Sequence, residues 1–428
     1  MQQIKQIGDF LAEHEGKMFE LLKELVTLQS HSHNKEGVDQ VGRRIEQSLK
    51  GLPLLCRRIR QHGFGDHLLF STQAAMHGEV GERKNILIVG HMDTVFPEDT
   101  DFTSYLEDED NCYGPGVIDM KGGLVVTIFA IKALDALGLL NDLPLVLVFT
   151  SDEEIGSPGS TSLLRRLAVN ACCGLVTECG GIEGQVVTGR RGKRGYHLEV
   201  HGRAGHAAFA GSNKASAIIE ISHKILAMEA LNDPKTGQVV NVGTVQGGIG
   251  ANTVAEYAAA EIDSRYCSEE AGRKLQQQFE MIVGTSIVNG VDACLQVTHD
   301  RPLMEGTREN KKLFALFKEQ ATQLGIELCE EFRAGVSDAN TLAGEGVPVL
   351  DGLGPVGEFD HSDREYMRKA SLVERCHLLA ATLPIIAALF SGQETAGDEK
   401  NPVMKKNIGN KDDSLSSRTA GLYTEPLP

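Results

Sequence analysis

The sequence has no excess of basic charge. Lys and Arg number 42 against 59 Asp and Glu, and the net charge is −17. A partner bound through its phosphate backbone calls for a basic face, so the charge disfavours nucleic acid as a partner, and none is expected. No apolar run approaches the roughly 20 residues of a membrane span. The first residues, "MQQIKQIGDFLAEHEGKMFELLKEL", are amphipathic and acidic, without the basic-then-apolar order of a signal peptide. These absences give the expectation of a cytoplasmic chain with no membrane partner. Nine cysteines are scattered without a CxxC pair. They read as reduced and mostly buried thiols, which argues against cysteine-ligated zinc.

What is present is an alternation. Short apolar runs, "NILIVG" (85–90), "LPLVLVFT" (143–150), "CCGLVTE" (172–178) and "VPVLDGLG" (347–354), fit strands covered on both faces. Helical stretches separate them, as in "LVVTIFAIKALDALG" (124–138) and "NKKLFALFKEQATQLG" (310–325). A surface helix is expected over residues 5–28. The pattern predicts an α/β domain with a largely parallel sheet flanked by helices.

The middle differs. From Gly189 to Arg301 the order is strand "GYHLEVHG", helix "NKASAIIEISHKILAMEAL", strands "VVNVGTVQGG" and "TVAEYAAAEIDSRY", helix "EEAGRKLQQQFEMIV" and strand "ACLQVTHD". This βαββαβ order is that of a ferredoxin-like α+β unit. The expected division is 1–188 and 302–390 for the two parts of the first domain, 189–301 for the inserted one, and 391–428 for a polar, disordered tail.

Metal-type side chains recur at the ends of the apolar runs. His91 follows "ILIVG", Glu153 and Glu154 follow "LVLVFTSD", Glu178 closes "GLVT", and His361 follows "VLDGLGPVGEFD". Asp119 lies in "GPGVIDMKGG", between a Gly-rich turn and a helix. Each has an ordinary explanation on its own: a packed histidine, a solvated helix start, a turn residue. Their conjunction carries the signal, because ligand sites in open α/β sheets lie outside the carboxyl ends of the strands. Two histidines with several carboxylates and no cysteine suit catalytic zinc, or cobalt or manganese. A carboxylate bridging two ions would use the whole set.

"GHMDTVFP", "GPGVIDMKGG", "SDEEIGSPGS", "TE" at 177–178 and "HSDREY" at 361–366 together resemble the motifs of the co-catalytic di-zinc metallopeptidases. That family includes glutamate carboxypeptidase, aminoacylase, acetylornithine deacetylase and succinyl-diaminopimelate desuccinylase. The likeness runs through residues 15–390 in the expected order. It implies that the inserted unit is a lid and dimerisation domain and that the protein is a homodimer. It further implies two Zn2+ ions, one held by His91 and Glu178, the other by Glu154 and His361, with Asp119 bridging. Asp93 would orient His91, and Glu153 would be the general base that serves a water activated by the two ions.

The resemblance also places His206 at a position that reaches into the partner subunit's site, and Asn252 among the substrate contacts. The family commonly continues the His206 motif with a Pro and a Glu, whereas this chain reads "AGSNKASA". Arg265 and Arg333 suit a substrate carboxylate, since Arg pairs with carboxylates in bidentate geometry. His197 and His201 alternate along a strand and read as structural. "EEIGSPGS", "DGLGPVG" and "HSDREY" look closest to the glutamate carboxypeptidase branch. The expected reaction is hydrolysis of an amide bond in a small N-acyl amino acid or short peptide with a free C-terminal carboxylate. The alternatives are an N-acyl amino acid deacylase or desuccinylase, and a non-catalytic metal- or peptide-binding protein on the same scaffold.

Overall fold

The computed structural model describes residues 2–76, 84–211 and 213–390. The tail from Ser391 lies outside the described residues. The chain divides into two compact units. The first comprises Met1–Val187, Arg308–Glu330 and the described part of Glu345–Pro428; the second comprises Thr188–Thr307 and Glu331–Gly344. The second unit therefore takes in Arg333, which the sequence division assigned to the first.

The first unit is built on a six-stranded sheet. Its labelled strands are β1 (Leu54–Ile59), β2 (His67–Thr72), β3 (Asn85–His91), β4 (Leu145–Thr150) and β5 (Ala171–Val176). The spatial order is β1-β2-β4-β3-β5, followed by the short strand Val349–Leu350. β4, β3, β5 and Val349–Leu350 run parallel, while β1 and β2 pair antiparallel at one edge. Every residue of β3, β4 and β5 is buried. Helices cover both faces, which is why these strands read as continuous apolar runs rather than alternating ones.

Helix α1 (Gln2–Thr27) buries Ile7, Leu11, Met18, Leu21, Leu22, Leu25 and Val26, a stripe at three- and four-residue steps. Helix α2 (Gly122–Ala136) is apolar almost all round, and twelve of its fifteen residues are buried. Its first turn approaches the sheet closely. A Cβ at Gly123 would lie 1.8 Å from the carbonyl oxygen of Thr177, so only glycine lets the start of α2 sit against the strand end that carries Glu178.

One expectation needs correction. The helix Lys369–Phe390 is long and apolar enough, by length and composition, to cross a membrane. Glu374, Arg375 and His377 interrupt its apolar run without ending the helix. It is a core helix: Leu372, Cys376, Leu379, Leu383 and Ile386 are buried in the same cluster as α1 and α2.

The second unit contains β6 (Gly192–His201), helix α3 (Ala217–Glu229), β7 (Val239–Gly247), β8 (Tyr257–Tyr266), helix α4 (Glu269–Gly284) and β9 (Asp292–Arg301). All neighbouring strands are antiparallel, in the order β7-β8-β6-β9. This is the ferredoxin-like βαββαβ arrangement. Tyr196, Leu198 and Val200 of β6 pack with Ile221 of α3 and Leu275 and Phe279 of α4. The alternate residues His197, Glu199 and His201 point to the opposite face, as the two-residue strand period requires.

Candidate metal centre

The carboxyl ends of β4, β3 and β5 lie side by side because the strands are parallel and adjacent. His91 is the last residue of β3, Glu153 and Glu154 start the turn after β4, and Glu178 follows β5 by two residues. Asp119 stands in the turn that leads into α2, and Gly116 within that turn has φ +73°, a left-handed conformation natural to glycine. His361 also has a left-handed backbone, φ 61°, which for a non-glycine residue is a local strain held by its surroundings.

The side chains converge around Asp119. Its Oδ1 is 3.0 Å from His91 Nε2, and its Oδ2 is 3.1 Å from His361 Nε2. Glu178 Oε1 lies 3.5 Å from the same His91 nitrogen, and Glu154 Oε2 lies 3.2 Å from the same His361 nitrogen. One carboxylate thus faces two histidines, each with a further glutamate beside it. The other face of His91 is fixed: Nδ1 is 3.0 Å from the carbonyl oxygen of Asp93 and 3.4 Å from its Oδ1. The Asp93 carboxylate in turn accepts the backbone N–H groups of Glu153 and Glu154, both at 3.2 Å, and the Ser32 hydroxyl at 2.6 Å. Asp93 therefore ties the β3 end to the turn after β4.

The electrostatics are those of acids gathered in a buried place. Burial and the charge of Asp119 raise the Glu154 carboxyl to about 8. Burial lifts Glu178 well above the usual carboxylate range. Hydrogen bonds to Asp119 and Glu154 raise His361 to about 11. For Asp119 burial acts upward, but the hydrogen bonds from His361 and His91 outweigh it and hold the carboxyl low. Glu154 Oε1 is buried without a hydrogen-bond partner. An orphaned carboxylate oxygen, an excess of buried acid and a nitrogen-and-oxygen donor set fit divalent cations. His91, Asp119 and Glu178 form one group close enough to hold a cation, and Asp119, Asp360 and His361 form another.

Two residues here escaped sequence reading. Asp360 joins the second group although it is exposed and looks like an ordinary loop acid. Glu365 is fully buried and accepts the backbone N–H groups of Gly116 (3.0 Å), Ile118 (2.8 Å) and Asp119 (3.1 Å). Burial pushes its carboxyl up to about 7. It shapes the turn that presents Asp119 from nearly 250 positions away, and no local pattern announces such a contact. Glu365→Ala strands three buried donors and is expected to destabilise the protein by on the order of 3 kcal/mol; calorimetric unfolding checks this.

The four expected substrate contacts all fall in the second unit. The structure brings them together as two pairs. His206 pairs with Thr253 across a short ladder, and the Asn252 carbonyl accepts the Ala207 N–H at 2.9 Å. Arg265 Nη1 donates to the Ala334 carbonyl at 3.1 Å, next to Arg333. Nε of Arg265 is 3.1 Å from Asp263, and Nε of Arg333 is 3.2 Å from Glu331. All nine cysteines are free, but only Cys112, Cys172, Cys173 and Cys376 are buried, fewer than expected.

Comparison with known proteins adds four findings. A family profile described as Peptidase family M20/M25/M40 matches residues 87–384. Carboxypeptidase G2 of Pseudomonas sp. (strain RS-16) is 28% identical over 86% of this chain and 88% of its own length. Succinyl-diaminopimelate desuccinylase of Halorhodospira halophila is 27% identical over 74% of this chain and 88% of its own. Among solved structures, an M20 family metallo-carboxypeptidase of Sulfolobus solfataricus superposes with a TM-score of 0.66 at 16% identity, covering 86% of this chain and 99% of that one. At that identity the likeness speaks to the fold alone.

Proposed function

The chain belongs to peptidase family M20/M25/M40 and is a hydrolase, and from that premise we propose a two-cation amide hydrolase acting on C-terminal acidic residues. The observation that carries the reading is the Asp119 carboxylate, whose two oxygens face two different histidines. His91 and Glu178 would hold one zinc, Glu154 and His361 the other, and Asp119 both; cobalt or manganese suits the same donors. When bound, such ions polarise an amide carbonyl and bring the pKa of a water toward about 7.

The chain's own residues supply the rest. Glu153 takes the proton of the attacking water and returns it to the leaving nitrogen. It sits close enough that its charge raises both Glu154 and Glu178. Asp93 holds His91 in one tautomer and keeps the backbone of Glu153 in place. His206, Asn252, Arg265 and Arg333 are assigned to the substrate. The acids beside Arg265 and Arg333 fix the planes of two guanidiniums, a preorganisation suited to a carboxylate.

The motifs "EEIGSPGS", "DGLGPVG" and "HSDREY", which look closest to the glutamate carboxypeptidase branch, favour a glutamate-type leaving residue over an acyl amino acid, and the likeness to a carboxypeptidase supports cleavage at a C-terminal residue. Parallel assays on a folyl- or peptidyl-glutamate and on N-acetyl and N-succinyl amino acids test this. Release of free glutamate is expected; release of acetate or succinate without glutamate would move the assignment to the deacylase and desuccinylase class.

The homodimer is part of the same proposal. β7 is an edge strand whose residues Gly243–Gly247 are exposed, and Ile218 and Leu226 of α3 are exposed apolar residues. A second copy pairing along β7 would cover them. Light scattering on the full chain is expected to give twice the monomer mass.

A further inference from the structure

A second group of ligand-type side chains lies entirely within the second unit, on the sheet face opposite α3 and α4. Antiparallel pairing sets Cys294 of β9 directly across from Glu199 of β6, with His201 two residues further along the same face. Cys294 Sγ is 3.6 Å from Glu199 Oε2, and His201 Nε2 is 3.9 Å from that same oxygen. The three donor atoms all lie within 4.8 Å of one another.

The Glu199 carboxylate is braced. Its other oxygen, Oε1, accepts the Tyr257 hydroxyl at 2.9 Å and lies 3.5 Å from His197 Nε2. His197 is held in turn by Glu261 at 2.6 Å. The Tyr257 ring also lies against His201, with centroids 5.4 Å apart. One carboxylate oxygen is therefore fixed by neighbours, and the other is aimed between a thiol and an imidazole. Outer partners of this kind orient ligands at metal sites.

The geometry points to a second, separate cation site here, with Glu199, His201 and Cys294 as ligands for Zn2+ or another borderline divalent ion. Tetrahedral zinc with bonds of about 2.0–2.3 Å sets its ligand atoms ~3.3–3.8 Å apart; the 3.6 Å Cys294–Glu199 spacing already fits, the 3.9 Å His201–Glu199 spacing would shorten by about half an ångström, and the Cys294–His201 spacing, within 4.8 Å, would shorten by up to ~1.2 Å through side-chain rotation. One sulfur, one nitrogen and one oxygen donor match the preference of zinc and cobalt. Water would fill the fourth position. Binding replaces the Cys294 thiol proton with the cation, and the proton leaves to solvent. The bound ion would pin β6 to β9.

The donor set makes this site separable from the first, which holds only nitrogen and oxygen. The full chain, stripped of metal with a chelator and kept reduced, is titrated with Co2+. A near-ultraviolet thiolate-to-cobalt charge-transfer band is expected in the unsubstituted protein. Cys294→Ser should lose the band and bind one fewer Co2+ per chain. His201→Ala should weaken binding at this site by at least about 10–100-fold. Both side chains are exposed, so neither substitution removes a core contact. No band in the unsubstituted protein, or an undiminished band in Cys294→Ser, would overturn the proposal whether or not the first site binds its ions.

Discussion

Glu153→Ala is expected to lower kcat by about 10²–10⁴-fold, the range for loss of a positioned general base, while the protein keeps its bound metal. The reason lies in how the two neighbouring glutamates are placed. Glu154 Oε2 is 3.2 Å from His361 Nε2, within the group around Asp119. The Glu153 backbone is pinned to Asp93 Oδ1. On the proposed reading one acid would serve as ligand and the other as proton carrier. Glu153→Gln keeps the shape and removes the proton acceptor, so it should match the alanine variant in turnover. Metal analysis and steady-state kinetics on the same preparation decide the matter. Full turnover would place the base elsewhere, and loss of metal would make Glu153 a ligand. A protein that only binds peptides or metal on this scaffold would have no turnover to lose.

Asp119→Ala is expected to remove both cations and with them all measurable hydrolysis. Each of its oxygens faces a different histidine, so a single truncation unpairs His91 and His361 together. Thermal unfolding gives a second reading. A ligand that binds only the folded state stabilises it by about 4 kcal/mol at 1,000 times its dissociation constant. Added Zn2+ should therefore raise the melting temperature of the metal-free parent chain. The effect should be large, because the cations would offset the burial and the neighbouring acid charge that raise Glu154 to about 8 and lift Glu178 well above the usual carboxylate range. Asp119→Ala should lose that gain from the first centre.

Much of this was legible in the sequence, for physical reasons that can be named. A parallel strand covered on both faces must be apolar along its length, so β3, β4 and β5 stood out. Ligand sites in open α/β sheets lie beyond the carboxyl ends of the strands, so His91, Glu154 and Glu178, which the structure gathers around Asp119, could be picked out by position. The alternation in "GYHLEVHG" and the order of elements around it gave the ferredoxin-like unit. What escaped depends on contacts between distant segments. Glu365 acts through three backbone N–H groups of a turn far away in the chain. Arg333 clusters with the second unit although the chain has by then returned to the first. The spacing of cysteines along the chain spoke against a cysteine-containing metal site. The β6–β9 ladder sets Cys294 opposite Glu199 across 95 positions, where spacing rules do not reach. The helix Lys369–Phe390 does not stand out as one apolar run, because a few charged residues break the run without breaking its buried face.

The most direct test of the Asp119 bridge is anomalous diffraction from crystals of the zinc-loaded protein, recorded on both sides of the zinc absorption edge. Two peaks should flank the Asp119 carboxylate about 3.5–4 Å apart, one beside His91 and Glu178 and the other beside Glu154 and His361. A single peak at that carboxylate, or none, would contradict the two-cation centre on which the proposed hydrolysis depends.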